Sequence, residues 1–138
     1  MDGFSFCKKF PIHWGDMDSL GHVNHTKYLV WFETIRCLFF TEIGLVSEGT
    51  PEIGPILANA NINYRAPLHF PDTVDIGLRV SRMGNTSFVL EYVLYRESDP
   101  NTLICDATTV VVLVNYQKNK KTPIPEEMRK RIAAFMTT

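Results

Sequence analysis

Residues 14–26 read WGDMDSLGHVNHT and crowd Asp16, Asp18, Ser19, His22, Asn24, His25 and Thr26 into one short span. A carboxylate held in such a loop can attack an electrophilic carbon or take a proton from water. Asn24 and Thr26 are both residue types that cap a helix start, by accepting a hydrogen bond from its first free N–H groups. Those N–H groups, with the positive end of the helix dipole, can hold a carbonyl oxygen as it becomes an oxyanion. Gly15 and Gly21 permit tight or left-handed backbone between the acids and the helix. Asp18 is therefore the candidate nucleophile or general base, and the backbone near His25 the candidate oxyanion donor. Asp16 is read as the residue that holds the turn. His22 is open to two readings, a loop-orienting side chain or a catalytic one. Asp16, Asp18, His22 and His25 also have metal-ligand chemistry. No HExxH or HxxxH pair supports that use, because the helix begins only at about His25, and neither metal nor cofactor is expected. A G-x-S-x-G elbow and a Gly-rich phosphate loop are both missing from the sequence, which disfavours a serine hydrolase and a nucleotide enzyme.

The helix that must follow this loop is TKYLVWFETIRCLFFTEIG, Thr26 to Gly44. With Lys27 at 0° and steps of about 100°, Thr34 and Thr41 fall within roughly 40° of it, a narrow polar stripe. Most of the remaining circumference is apolar, so the helix is expected to be buried on most sides. Glu33 and Arg36 lie outside the stripe at a spacing that permits a pair. Gly44 suits the C-terminal end.

Period-two alternation surrounds that helix. Phe4, Phe6, Phe10, Ile12 and Trp14 mark a first strand. Ala58, Ala60, Ile62 and Tyr64 alternate with Asn59, Asn61, Asn63 and Arg65; Val74, Ile76, Leu78 and Val80 follow, then Phe88, Leu90, Tyr92 and Leu94. Pro67, Pro71–Asp72, Met83–Gly84–Asn85 and Ser98–Asp99–Pro100–Asn101 punctuate these runs as turns. A last strand from about Leu103 to Tyr116 is nearly continuous in apolar residues at Val110–Val114, the pattern of burial on both faces or of a central sheet position. Pro125, Glu126 and Glu127 open a short C-terminal helix with Met128, Ile132 and Phe135 on its inner side. The expectation is one α+β domain over residues 1–138, with an antiparallel five-stranded sheet around one long apolar helix. One copy would leave part of this apolar surface uncovered, so a dimer is expected.

Composition narrows the rest. The 138 residues carry 14 Lys and Arg against 15 Asp and Glu, which lacks the basic footprint of a nucleic-acid binder. No run approaches the roughly 18 apolar residues of a membrane span. MDGFSFCKKF shows no basic segment followed by an apolar run, so no secretory leader is expected. Cys7, Cys37 and Cys105 form an odd set without CxxC spacing. They are read as small buried hydrophobes in a reducing, cytoplasmic setting.

The loop and helix resemble the hot-dog-fold acyl-CoA thioesterases of the 4-hydroxybenzoyl-CoA thioesterase family. The residues that carry the resemblance are Trp14-Gly15-Asp16-Met17-Asp18, Gly21-His22-Val23-Asn24 and Tyr28-Leu29-Val30-Trp31-Phe32-Glu33. Asn63-Tyr64-Arg65-Ala66-Pro67, Gly84-x-x-Ser87 and Pro123-x-Pro125 extend it over nearly the whole chain. The resemblance implies hydrolysis of an acyl-CoA, or of an acyl-carrier-protein thioester, without a cofactor, in a homodimer or homotetramer. It maps the family's catalytic carboxylate to Asp18 and its polarising N–H to about His25. Plant acyl-carrier-protein thioesterases share D-x-x-x-H-V-N-N and use a histidine that maps to His22. This chain has His25 at the second Asn of that run, so the backbone N–H remains there but the amide side chain does not. Asn24, Tyr28, Arg65 and Arg82 are the candidate substrate-contacting residues. The resemblance implies an acyl tunnel along the helix at the subunit interface, with Arg82 near the coenzyme A phosphates. Two rivals are a non-catalytic acyl-CoA-binding domain and a hot-dog hydratase acting on an enoyl or hydroxyacyl thioester.

Overall fold

A computed structural model describes residues 1, 3–45 and 52–136. The strands are β1 (Phe6–Pro11), β2 (Ile53–Tyr64), β3 (Thr73–Met83), β4 (Ser87–Arg96), β5 (Asp99–Asn115) and the two-residue β6 (Lys120–Lys121). The helices are α1 (His25–Glu42) and α2 (Glu126–Ala133). Five long strands pair antiparallel in the order β1-β3-β4-β5-β2, and β6 adds to β5. The consecutive strands β3, β4 and β5 are neighbours in the sheet, whereas β2 lies at the far edge against β5 instead of beside β3.

Alternation in β3, β4 and β5 sends Val74, Ile76, Leu78, Phe88, Leu90, Leu94, Val111 and Leu113 to one buried face. Helix α1 lies on that inner face, over β1 and β3. Phe39 packs edge-on against Phe6 at 5.7 Å and against Phe135 at 5.2 Å, which ties both chain ends to the helix. Phe39 is wholly buried, and truncating such a ring to Ala costs about 3–5 kcal/mol. Gly44, at φ 75°, follows the helix in the left-handed conformation that suits its C-terminal end. In α2, Ile132 is buried and Met128 and Phe135 pack on the core, as the spacing predicts.

Three expectations are corrected. The first strand ends at Pro11, and Trp14 opens a single 3₁₀ turn, Trp14–Asp16, with its ring in solvent. The Asp16 carboxylate accepts the His13 N–H at 2.8 Å and curls the chain out of the sheet there. Helix α1 is buried on one side only, because Leu29, Val30 and Leu38 are exposed. Cys105 is buried as expected, but Cys7 and Cys37 are exposed. Among the described residues, no helix is long and apolar enough to cross a membrane.

Candidate active site

Residues 12–24 are pinned against the segment before β3 by backbone bonds. The Ile12 N–H donates to Asp72 O and the Val23 N–H to Leu68 O, both at 2.9 Å. His69 Nδ1 lies 2.9 Å from Gly21 O, a contact between distant residues that no local pattern announces. Met17 and Val23 form an antiparallel bridge. Beyond it the Asp18 N–H donates to His22 O at 2.9 Å and the Gly21 N–H to Asp18 O at 3.0 Å. Gly21 sits at φ 79°, which a glycine adopts without cost. The loop is thus a tight, doubled-back finger.

Asp16 keeps the base of this finger. Besides His13, its carbonyl accepts the Asn24 N–H at 3.1 Å, and Lys27 Nζ stands 3.9 Å from Oδ1. Asp18 differs. Its Oδ1 accepts the Leu20 N–H at 2.9 Å, and among the described residues Oδ2 has no hydrogen-bond partner and no cation pairs with the group. Its side chain is exposed beside a cleft lined by Trp14, Met17, Ser19 and Gly21. The His22 ring lies against His69 with centroids 4.8 Å apart and the planes tilted by 47°.

Helix α1 starts as the sequence requires. Asn24 is the N-cap, and its Oδ1 accepts the Thr26 N–H at 3.0 Å and the Thr26 hydroxyl at 2.7 Å. The Lys27 N–H goes to Asn24 O at 3.0 Å. Among the described residues the His25 N–H donates to nothing, so one donor at the positive end of the helix dipole is uncommitted. His25 opens on a cleft with Val23, Tyr28, Tyr64, Arg65, Ala66 and Pro67. Tyr64 meets the His25 ring edge-on at 6.1 Å and the Tyr28 ring at 5.2 Å. Burial pushes the Tyr28 phenol up to about 12, so it stays protonated at neutral pH. Burial also pushes the Cys105 thiol up to about 12, which removes it as a thiolate nucleophile.

The structure therefore brings His25, Tyr28 and Arg65 into one cleft and sets Asp18 and His22 on the adjoining finger. Asp18 is level with His22 and Asp16 with Asn24, on either side of the Met17–Val23 bridge. Arg65 is not a free cation: its Nε donates to Asp106, which also accepts from Asn63 Nδ2 at 2.9 Å. These contacts, Arg65 foremost, hold the Asp106 carboxyl below its usual range. Arg82 is exposed at the far end of β3, about 17 Å along the sheet from Ile76, which is level with Tyr64. Tyr64, Asp106 and His69 are the site residues that sequence reasoning missed. Tyr64 was signalled only by its place in the motif before Pro67.

The Thioesterase-like superfamily matches residues 12–132 of this chain. An acyl-CoA thioesterase, YbgC, from Haemophilus influenzae is 29% identical over 140 residues, spanning 97% of this chain and 95% of its own. The crystal structure of the PA5185 protein from Pseudomonas aeruginosa superposes with a TM-score of 0.88 at 28% identity, covering 99% of this chain and 95% of that one. A thioesterase from Thermus thermophilus, solved with coenzyme A and Zn, superposes at 0.80 with 25% identity, covering 98% and 96%. The fold and its relatives together define a hot-dog thioesterase domain. This chain belongs to the Thioesterase-like superfamily.

Proposed function

We propose that the domain hydrolyses acyl-CoA thioesters, with Asp18 and the N-terminus of α1 as its catalytic parts. The observation that carries this reading is the uncommitted His25 N–H, held by the Asn24 cap at the mouth of an aromatic-lined cleft. A thioester oxygen seated there meets a donor that strengthens as negative charge develops on it. The unpaired Asp18 carboxylate would then act by one of two routes. In the first it attacks the carbonyl carbon, the C–S bond breaks to release the thiolate, and water hydrolyses the resulting anhydride. In the second it removes a proton from water, the hydroxide so formed adds to the carbonyl carbon, and the C–S bond breaks to release the thiolate, which takes up the proton from Asp18. His22, lying against His69, would hold the finger that presents Asp18.

The proposal includes a homodimer formed through β2. This strand is twelve residues long, pairs on one side only and is exposed along most of its length. Such an edge is an aggregation hazard unless something pairs with it. Leu57 and Tyr64, on its inner face, are 45% and 48% exposed, and Leu29 and Val30 of α1 are exposed as well. A second copy pairing antiparallel at this edge would cover both surfaces. Arg82 is assigned to the coenzyme A phosphates by the family resemblance and not by this pairing, since it lies three strands from the edge, level with Asn59 on the outer face.

Release of free thiol from a panel of short, long and aromatic acyl-CoAs tests the reading. Turnover of at least one class supports it; acyl-CoA binding with no thiol release from any of them would leave a binding domain instead.

A further inference from the structure

Arg36 stands three helical turns along α1 from His25, on the flank of the helix that turns toward β4 and β5. Its Nη1 donates to the Tyr92 hydroxyl at 3.3 Å, and the Tyr92 and Thr109 hydroxyls lie 2.7 Å apart. With Tyr92 accepting from Arg36, its own proton points to Thr109. Tyr92 is 1% exposed and Thr109 4%, so the hydroxyl pair is shut away from water while Arg36 is only half-buried. Among the described residues Arg36 has no carboxylate partner. Glu33, the acid at pairing distance in sequence, is exposed and makes no ion pair with it.

The register shows what lies alongside. Thr109 is opposite Ala60, Ala107 opposite Ile62 and Cys105 opposite Tyr64, and opposed residues share a sheet face. Tyr64, Ile62 and Ala60 therefore floor a strip of inner sheet that α1 leaves uncovered. Its near end is the cleft where Tyr64 meets Tyr28 and His25, and its far end, Ala60, lies opposite Thr109, whose hydroxyl meets that of Tyr92, the acceptor of Arg36. At 1.5 Å per residue the helix advances about 16 Å between His25 and Arg36, and a side chain leaning toward the N-terminus shortens that span. A medium-length acyl chain bridges it.

We infer that Arg36 is a specificity-determining residue that selects acyl groups carrying a carboxylate at the far end from the thioester. The inference rests on the proposed carbonyl site at His25. A wholly apolar tail would strand a half-buried guanidinium beside hydrocarbon. A terminal carboxylate accepts from the guanidinium fork bidentately, which an alcohol cannot do. In the proposed dimer the second copy would cover this apolar floor and keep the intervening methylenes from water.

The test compares decanoyl-CoA with the mono-CoA thioester of decanedioic acid, using the intact protein and Arg36→Met. One charge-assisted pair is worth about tenfold or more, so the wild type should favour the carboxylated substrate by that factor in kcat/KM, chiefly through KM. Arg36→Met should reverse the ratio, and Arg36→Lys should restore part of it. A wild type that cleaves decanoyl-CoA equally well or better overturns this inference alone, without recourse to any variant. A wild type that cleaves neither these nor the wider panel overturns the thioesterase reading together with it.

Discussion

The Asn24 side chain accepts both the N–H and the hydroxyl of Thr26, and this double acceptance leaves the N–H of His25, one residue earlier, without a partner. The cap thus does two things at once: it starts the helix and keeps one donor free. That donor belongs to the backbone, so its role is separable from the imidazole.

Proline makes the separation. At the first helical position it needs no N–H and fits the helical φ. Asn24, at φ −68° and ψ 142°, already has the extended conformation required before proline. His25→Pro should therefore fold and lose roughly 10²–10³ in kcat, the usual cost of one oxyanion donor. His25→Ala keeps the N–H and should retain most of the activity. Equal losses in the two variants would assign the role to the ring.

The Tyr92–Thr109 hydroxyl pair should behave as one buried unit. Thr109→Val or Tyr92→Phe alone leaves a buried hydroxyl short of a partner and should cost about 1–3 kcal/mol. The double variant should cost less than the sum of the two, because both polar ends go together. Urea unfolding of the four proteins checks this, and strict additivity would mean that the pair is not coupled.

Much of this molecule was legible because alternation is a direct record of which face is buried. That is why β3, β4 and the core of β5 agree with the reading, and why the Asn24 cap and the Gly44 terminus fall where expected. The alternation beginning at Ala58 does not reach the start of β2, Ile53 to Leu57, which includes Gly54 and Pro55, residue types that disfavour a strand interior. In the fold, Tyr116 crosses Gly54 so closely that its ring leaves no room for a Cβ there, and its hydroxyl donates to Pro55 O at 2.7 Å. The order of strands was not legible either. Nothing local says that β2 crosses to the far edge, and that crossing is what exposes Leu57 and Tyr64. Asp18 and His25 are near in sequence, yet the Met17–Val23 bridge lies between them and each lines a cleft of its own. The Asp106 carboxylate that occupies Arg65 comes from β5, beyond the reach of any spacing rule.

The Arg65–Asp106 contact gives a pH signature. Arg65, followed by Asn63, holds the folded-state Asp106 carboxyl below its usual value. Its stabilising contribution is therefore complete above the ordinary carboxylate range and is lost as pH falls through that range toward the folded-state value. The stability difference between wild type and Asp106→Asn should favour wild type at about pH 7 and shrink at about pH 3. A difference that is constant over that interval would contradict the assignment.

The β2 edge predicts the oligomeric state. A lysine at Leu57, on the exposed part of the inner face, should convert a dimer into a monomer in sedimentation equilibrium. A wild-type protein that sediments as a monomer at all concentrations would remove the proposed interface.

Asp18→Asn bears most directly on the chemistry. The Asn side-chain oxygen can still accept the Leu20 N–H, so the finger should keep its shape while the negative charge is lost. Steady-state hydrolysis of the best acyl-CoA substrate should fall by roughly 10²–10⁴-fold in kcat/KM, with unfolding unchanged. A variant that hydrolyses at the wild-type rate would contradict the central claim.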